Sequence, residues 1–396
     1  MSTIAFSRPS GLTRLPPLGV YVHLPWCIRK CPYCDFNSHE APSGGADEGG
    51  YLDALEADLD ASLALVWGRP VQTIFIGGGT PSLFSPQGID RLLASLRSRL
   101  RVAPDAEVTM EANPGTFERE RFDGFRAAGV NRLSLGVQSF DDARLEAIGR
   151  VHDSRQAREA ARAAAEIFPT FNLDLMYALP GQTLAQLGED LAQALSFDPP
   201  HLSLYHLTLE PNTLFARFPP VVPDEDQAAE MQDAIEERLE AAGFEHYEVS
   251  AYARPGHRSR HNLNYWTFGD YLGLGAGAHG KLSFHDRIVR YARYRHPRRY
   301  VEAALGGQAI ETEKVVLRQD LPFEFMLNAL RLTQGVPAGL FQEQTGLSLA
   351  EISGALARAT QRGLLTPDPA RLAATDLGLR FLNDLQAEFL PSPVPH

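Results

Sequence analysis

Three cysteines stand within eight residues, Cys27-Ile-Arg-Lys-Cys31-Pro-Tyr-Cys34, and the chain contains no others. An odd number so tightly bunched does not make a disulfide framework, which pairs cysteines across long loops. It reads instead as a metal site in a reducing compartment. Thiolates in a C-x3-C-x2-C array select zinc or an iron–sulfur cluster. Zinc would need a fourth ligand, and His23 and His39 are at hand. A cluster on three thiolates would leave one iron open, a place for a cofactor to chelate. The plain alternative, three buried thiols without metal, fits poorly because free cysteines rarely bunch without a ligand to share.

Four other clusters combine glycine or proline with polar groups: Gly77-Gly-Gly-Thr-Pro, Glu111-Ala-Asn-Pro-Gly, Gly136-Val-Gln-Ser and Tyr177-Ala-Leu-Pro-Gly. They follow four of the six short apolar runs that read as strands, which begin at Gly19, Thr73, Glu107, Arg132, Phe171 and His201. Helical spacing of Leu and Ala fills the intervals 51–66, 87–100, 117–128, 154–167 and 184–196. Strand–helix alternation predicts an α/β fold whose parallel sheet, with right-handed crossovers, curls into a full or partial barrel. Chemistry in such folds sits on loops at the carboxyl ends of the strands, where these clusters fall. No Lys-Ser/Thr follows Gly77-Gly-Gly, so it is not a phosphate loop. The Gly-rich run 272–280 lacks the strand–turn–helix unit of a dinucleotide site and reads as close backbone packing.

A length of 396 residues suits two or three domains of roughly 150 residues. With 44 % apolar and 22 % charged residues, disorder, collagen and coiled coil are excluded for the whole chain. Lys and Arg number 37 against 49 Asp and Glu, a formal charge of −12, so no global attraction to nucleic acid or anionic lipid is expected. No run approaches ~18 consecutive apolar residues, and the N-terminus lacks a signal peptide's apolar core; a cytoplasmic protein is expected. Residues 1–18 read as a leader, 19–217 as the barrel and 218–320 as an extension entered through the Pro-rich break at Phe218 and a helix over 226–242. Residues 321–391 read as a small winged-helix-like α+β module: helices over 323–332, 338–345 and 349–362, a turn-linked strand pair and a last helix. Its third helix offers only Arg358 and Arg362 against Glu351, so DNA recognition is not expected. The stretch 40–50 reads as a flexible surface loop.

The cysteine loop resembles the signature of radical S-adenosylmethionine proteins. Tyr21-Val-His-Leu-Pro-Trp-Cys, Gly77-Gly-Gly-Thr-Pro, Glu111-Ala-Asn-Pro, Leu135-Gly-Val-Gln-Ser-Phe and the run from Asn172 to Thr183 resemble the oxygen-independent coproporphyrinogen III oxidase family over nearly the whole chain. That resemblance implies a partial (β/α)6 barrel and a 4Fe-4S cluster on Cys27, Cys31 and Cys34. It also implies S-adenosylmethionine at the open iron, cleaved by a cluster electron to a 5′-deoxyadenosyl radical. By motif position the S-adenosylmethionine contacts would be Tyr21, Tyr33, Gly78, Gly79, Thr80, Glu111, Gln138, Arg150 and Asp174. Glycines let backbone approach a ligand, the strand-end carboxylates and amide suit amino and ribose groups, and Arg150 suits a carboxylate.

Two departures point within the family. The oxidases carry a fourth cysteine as Cys-x-Cys, where this chain has Cys34-Asp-Phe36, and they have a longer N-terminal extension. In both respects the chain is similar to the HemW-type branch, regarded as haem chaperones. His261-Asn262-Leu-Asn-Tyr265-Trp266 resembles an H-N-x-x-Y-W motif associated with haem handling there: histidine can ligate haem iron, and Tyr and Trp offer flat apolar surface. A packed segment with a satisfied histidine is the plain alternative. The resemblance implies a protein that binds haem, a 4Fe-4S cluster and S-adenosylmethionine and passes haem to an acceptor, a membrane or respiratory protein. The alternative is a true oxidase converting two propionates of coproporphyrinogen III to vinyl groups. Arg287, Arg290, Arg293, Arg295, Arg298 and Arg299, interleaved with Tyr291, Tyr294 and Tyr300, suit porphyrin propionates or an acidic partner, or else a solvated helix face.

Overall fold

Along β1 (Leu18–Leu24), Leu18, Val20, Val22 and Leu24 alternate with Gly19, Tyr21 and His23, and the first row is at most 1 % exposed within the main apolar core. The same alternation recurs in β2 (Pro70–Gly78), β3 (Arg101–Ala112), β4 (Arg132–Gln138), β5 (Thr170–Tyr177) and β6 (His201–His206). These six run parallel in spatial order β1 to β6. Between them lie α1 (Glu48–Val66), α2 (Pro86–Arg99), α3 (Arg119–Ala128), α4 (Ser154–Ile167) and α5 (Leu184–Leu195). Their starts are chemically marked: Ser85 accepts from Gly88 N ahead of α2, and capping boxes Asp153/Gln156 and Thr183/Gln186 open α4 and α5. The strand–helix alternation expected from the sequence is therefore present, with helix ends shifted by three residues or fewer.

The computed structural model describes residues 11–43, 45–116 and 119–391. The first ten residues of the expected leader and the expected start of α3 at residue 117 lie outside the described residues.

The extension holds strands that the sequence reading did not resolve. After α6 (Glu225–Ala241) come β7 (Glu245–Glu248), β8 (Ala251–Ala253), α7 (Arg260–Trp266), β9 (Asp270–Leu274), β10 (His279–Ser283), β11 (Ile288–Arg293), α8 (Pro297–Leu305) and β12 (Ile310–Val315). Strand β9 joins β1 in parallel, while β10, β11 and β12 continue beyond it antiparallel; β8 and β7 extend the far side beyond β6. The sheet order is β12-β11-β10-β9-β1-β2-β3-β4-β5-β6-β8-β7. Its two ends are not paired with each other, so the barrel is partial. Helix α7 closes its floor: Glu107 of β3 accepts from the backbone N–H of Arg260 (3.1 Å) and His261 (3.0 Å).

The basic run divides in the structure: Arg298 and Arg299 are exposed on α8, the solvated helix face weighed for the run, while the segment before them is not helical. Residues 288–293 form strand β11 rather than a helix face, and Arg293 is fully buried, ion-paired with Asp58 of α1 at 2.8 Å and donating to Ser62. Arg290 donates to Tyr271 and pairs with Glu324. Those two guanidiniums serve internal bonds, not an external carboxylate.

The C-terminal module opens with α9 (Leu321–Ala329) and α10 (Ala338–Thr345). The third expected helix splits into a 3-10 turn, Leu349–Ile352, and α11 (Ser353–Gln361). Val336–Pro337 pairs with Arg371–Leu372, and Leu365 bridges Ala374. The expected last helix is two short ones, Asp376–Arg380 and Leu382–Ala387. This module shares an apolar core with Tyr247, Ala251, Phe268 and Ile288 of the extension.

Asp58 accepts from Arg293 Nε (3.0 Å) and Tyr300 Oη (2.9 Å) with both ionic partners at most 1 % exposed. Breaking such a pair strands a buried charge, so Asp58→Ala should cost about 3–5 kcal/mol. Chemical denaturation with an unchanged midpoint would refute that role.

Candidate functional site

The segment after β1 carries the cysteines on a backbone that is tied down at both ends. His39 N donates to Pro25 O and Ala41 N to Cys27 O, both at 2.8 Å, while Gly79 N and Thr80 N of the β2 turn donate to Leu24 O (2.8 Å) and Trp26 O (2.7 Å). Cys34 N returns to Cys31 O at 3.1 Å. Asn37 Nδ2 donates to Ala276 O (2.9 Å) and Arg295 O (2.8 Å), joining the segment to the Gly-rich turn after β9. Gly277 of that turn has φ +76 and no room for a Cβ beside Asn37, the close backbone packing expected of the run.

Each sulfur has polar neighbours. Thr80 Oγ1 donates to Cys27 Sγ (3.6 Å), Arg150 Nη1 to Cys31 Sγ (3.7 Å), and Ser38 Oγ lies 3.7 Å from Cys34 Sγ. Burial pushes the Cys27 and Cys34 thiols up, so a metal must displace their protons. Among the described residues no three His, Cys, Asp or Glu side chains converge to hold a single ion. Zinc would gather its sulfurs about 2.3 Å from one centre, so the arrangement does not support it. Nor is His23 free: it is bonded to Tyr21 Oη and Asn37 O, and His39 is bonded to Asn37. A 4Fe-4S cluster gives each thiolate its own iron, and three cysteines spread along one turn fit that demand.

All three cysteines border one cavity of about 640 Å³, within the range of small-molecule sites. Tyr33, Gly78, Gly79, Thr80, Glu111, Gln138, Arg150 and Asp174 border it too, brought there by the carboxyl ends of β1 to β5 and the loops after them. Tyr21 is the exception: it does not line the cavity, and its hydroxyl meets His23 Nδ1 at 2.9 Å. Since Asn37 O can only accept, His23 carries its proton on Nε2 and Tyr21 donates to Nδ1. Gly78 N donates to Glu111 Oε2 (3.0 Å). With Gly79 N and Thr80 N also committed, Gly78 and Gly79 can offer a ligand only their carbonyl oxygens.

The cavity's charges are strongly perturbed. Burial, and then the charge of Asp174, push Glu111 up to about 8. Burial also raises Asp174, against bonds from Ser134 Oγ (2.9 Å) and Asn172 Nδ2 (2.8 Å). Arg150 donates from Nη2 to Gly136 O (2.8 Å) and from Nη1 to Tyr33 Oη (3.4 Å), so only Nε has no partner among the described residues. Gln138 has φ +69, a strained conformation for a non-glycine residue that places it on the cavity wall.

The 261–266 segment is placed differently from the expectation of an open haem surface. His261 is 1 % exposed, with Nδ1 bonded to Thr73 Oγ1 (2.8 Å) and Nε2 to Tyr265 Oη (3.0 Å), and burial lowers it to about 3. Trp266 carries the Arg331 guanidinium over its ring at 4.4 Å. Of the four motif residues only Asn262 borders the cavity. Residues that the sequence reading missed, Thr109, Arg132, Asn172, His201 and Ser203, also line it. Their signal was present as polar residues at every second position of otherwise apolar strands: Arg132-Leu-Ser134, Asn172-Leu-Asp174, His201-Leu-Ser203.

Comparison with known proteins places this geometry. The Radical SAM superfamily matches residues 21–194, and the HemN C-terminal domain matches residues 316–381. The chain is 48 % identical over 381 residues to the heme chaperone HemW of Escherichia coli, covering 96 % of this chain and 100 % of that one. It is 37 % identical over 379 residues to the heme chaperone HemW of Bacillus subtilis, covering 93 % and 98 %. Coproporphyrinogen III oxidase (HemN) from Escherichia coli, a radical SAM enzyme, shares the fold with TM-score 0.80 at 24 % identity, covering 98 % of this chain and 93 % of that one.

Two outcomes follow from the site. Cys31→Ala should abolish cluster assembly, since the two remaining thiolates cannot hold it; full iron and sulfide content would refute the assignment. Glu111 titrates higher folded than unfolded, so its contribution is present at acid pH and is lost as pH rises from the ordinary carboxylate range towards about 8. In cofactor-free protein, melting temperature should therefore fall less between pH 5 and 8 for Glu111→Gln than for the parent; equal falls would contradict the buried, protonated carboxyl.

Proposed function

Because the chain belongs to the HemW family of radical S-adenosylmethionine proteins, we propose that it binds haem together with a 4Fe-4S cluster and S-adenosylmethionine and hands the haem to an acceptor protein. The observation that carries this reading is the end-to-end likeness to chains named heme chaperone. Phe36 adds to it: phenylalanine stands where the oxidases have a fourth cysteine, and its side chain is 59 % exposed at the cavity.

Cys27, Cys31 and Cys34 would hold the cluster. When bound, the cluster and S-adenosylmethionine supply one-electron cleavage of a sulfonium bond. Thr80, Arg150 and Ser38 would favour the thiolate forms by donating to the sulfurs. Glu111 and Asp174 face the same space, and an ammonium beside them would draw off the proton that burial holds on Glu111. Gln138, Tyr33 and the carbonyls of Gly78 and Gly79 would bound the rest of the ligand.

Haem contact at 261–266 is part of the proposal. Asn262 already borders the cavity. His261 and Tyr265 would have to exchange their mutual bond and the Thr73 bond for haem, which means that α7 moves. The acceptor would be a membrane or respiratory protein, reached from the cytoplasm, where three thiols stay reduced. Among the described residues no helix is long and apolar enough to cross a membrane.

Anaerobic titration of the cluster-reconstituted protein with haem, read at the Soret band, should saturate at micromolar haem, and coproporphyrinogen III should not be turned over. An absent Soret shift would overturn the chaperone reading, and formation of protoporphyrinogen IX would restore the oxidase. His261→Ala should weaken haem binding at unchanged iron content; an unchanged titration would place haem away from α7.

A further inference from the structure

A barrel that serves only as scaffold is filled with branched apolar side chains. Here one register row across β2, β3 and β4 is Phe75–Thr109–Arg132. Thr109 is 1 % exposed and Arg132 3 %, and both border the cavity. Each leaves a polar atom without a partner among the described residues: Thr109 Oγ1 and Arg132 Nη2. The other terminal nitrogen of Arg132 is engaged, with Nη1 donating to His257 O at 3.1 Å and lying 4.0 Å from Glu107 Oε2. Glu107 does not saturate the guanidinium, because its oxygens accept the N–H groups of Arg260 and His261. Asp174 is likewise taken up by Ser134 and Asn172. From the floor, Asn262 borders the same cavity, and its side-chain amide has no hydrogen bond among the described residues.

What sets these two apart from other unpartnered buried atoms is their place: one strand row at the base of a cavity, where a ligand group would satisfy both. We propose that Arg132 Nη2, Thr109 Oγ1 and the Asn262 amide form a carboxylate-binding subsite at the floor of the barrel. A guanidinium with a free N–H beside a hydroxyl donor gives a carboxylate one charge-assisted and one neutral hydrogen bond in a water-poor setting. The carboxylate is either a porphyrin propionate, in which case the subsite rests on the haem reading above, or that of a free organic acid.

Two variants test it. Thr109→Val keeps shape and removes an unsatisfied hydroxyl, so it should fold at least as well as the parent; Arg132→Gln removes the charge. Reconstituted protein is titrated with haem and with haem dimethyl ester, whose propionates are capped. Cofactor-free protein is heated with and without glutarate. For the propionate, haem should bind more tightly than its ester. Arg132→Gln should lose about tenfold and Thr109→Val about fivefold in haem affinity, with the ester unaffected. For a free acid, glutarate should raise the melting temperature of the parent and of neither variant. Failure of haem and ester alike to bind would overturn the haem reading but not the subsite, which the glutarate arm then decides. Variants that match the parent in both arms would overturn the subsite.

Discussion

Three thiols can share a cluster only if their sulfurs are free while the backbone beneath them is fixed. Here the fixing comes from hydrogen bonds within the cysteine segment, Cys34 N to Cys31 O among them, and from bonds that tie its two ends to each other and to neighbouring strand ends. Gly79 N and Thr80 N reach back to Leu24 O and Trp26 O, His39 N and Ala41 N close the far side, and Asn37 reaches across to the turn at Ala276. The cost falls on side-chain size. A Cβ at Gly79 would run into the carbonyls of Pro25 and Trp26, and one at Gly275 into His23 O. Those glycines are therefore conditions of the cysteine geometry, although two of the three strands involved lie far from it in sequence.

The same sheet keeps stability and chemistry on opposite faces. Outward rows such as Leu18, Val20, Val22 and Leu24, together with the Ala157, Ala160, Ala161 and Ala164 face of α4, make the apolar core. Inward rows carry Glu107, Arg132, Asn172, Asp174 and His201, whose desolvation is unfavourable unless hydrogen bonds offset it. Asn172, Asp174 and His201 form a connected set: His201 bonds to Asn172 and Tyr247, Asn172 to Ser134 and Asp174, and Ser134 to Asp174. A nearly satisfied network is rigid, which leaves its few unpaired atoms as fixed features and not as slack.

The barrel was legible because parallel strands and crossover helices each repeat a period that composition preserves. Helix Ser154–Ile167 is bounded in the structure as its spacing and Asp153 cap dictate. The cavity wall was legible at strand ends and in the loops after them, as at Gly78, Glu111, Gln138 and Arg150, and at Asp174 through its motif. Thr109 lies inside β3 and Arg132 opens β4, and alternation of polar and apolar residues does not say which side of a strand faces a cavity until the register across β2, β3 and β4 is known. Strands β9 to β12 escaped for another reason: they pair across turns rich in Gly and Arg, and Arg293 looks solvent-bound until Asp58, 235 residues away, is placed against it. Charge in sequence does not announce a buried partner.

Helix α7 shows how one segment can carry two incompatible readings. Its resemblance suggests haem, yet His261 is neutral, enclosed and doubly bonded, and Trp266 underlies Arg331, which reaches Glu248 at 3.4 Å and so ties the C-terminal module to the extension. The residues that would grip haem are the residues that close the floor. If haem takes them, the closed floor and the haem-bound form are alternative states, and the apparent haem affinity equals the intrinsic affinity scaled by the fraction of molecules with α7 open. The Thr73–His261 and His261–Tyr265 bonds set that fraction. Loosening the Thr73–His261 bond from the Thr73 side, which leaves the imidazole in place, would then strengthen haem binding while weakening the fold, two effects of opposite sign from a single hydrogen bond, whereas a haem site away from α7 would leave haem binding untouched.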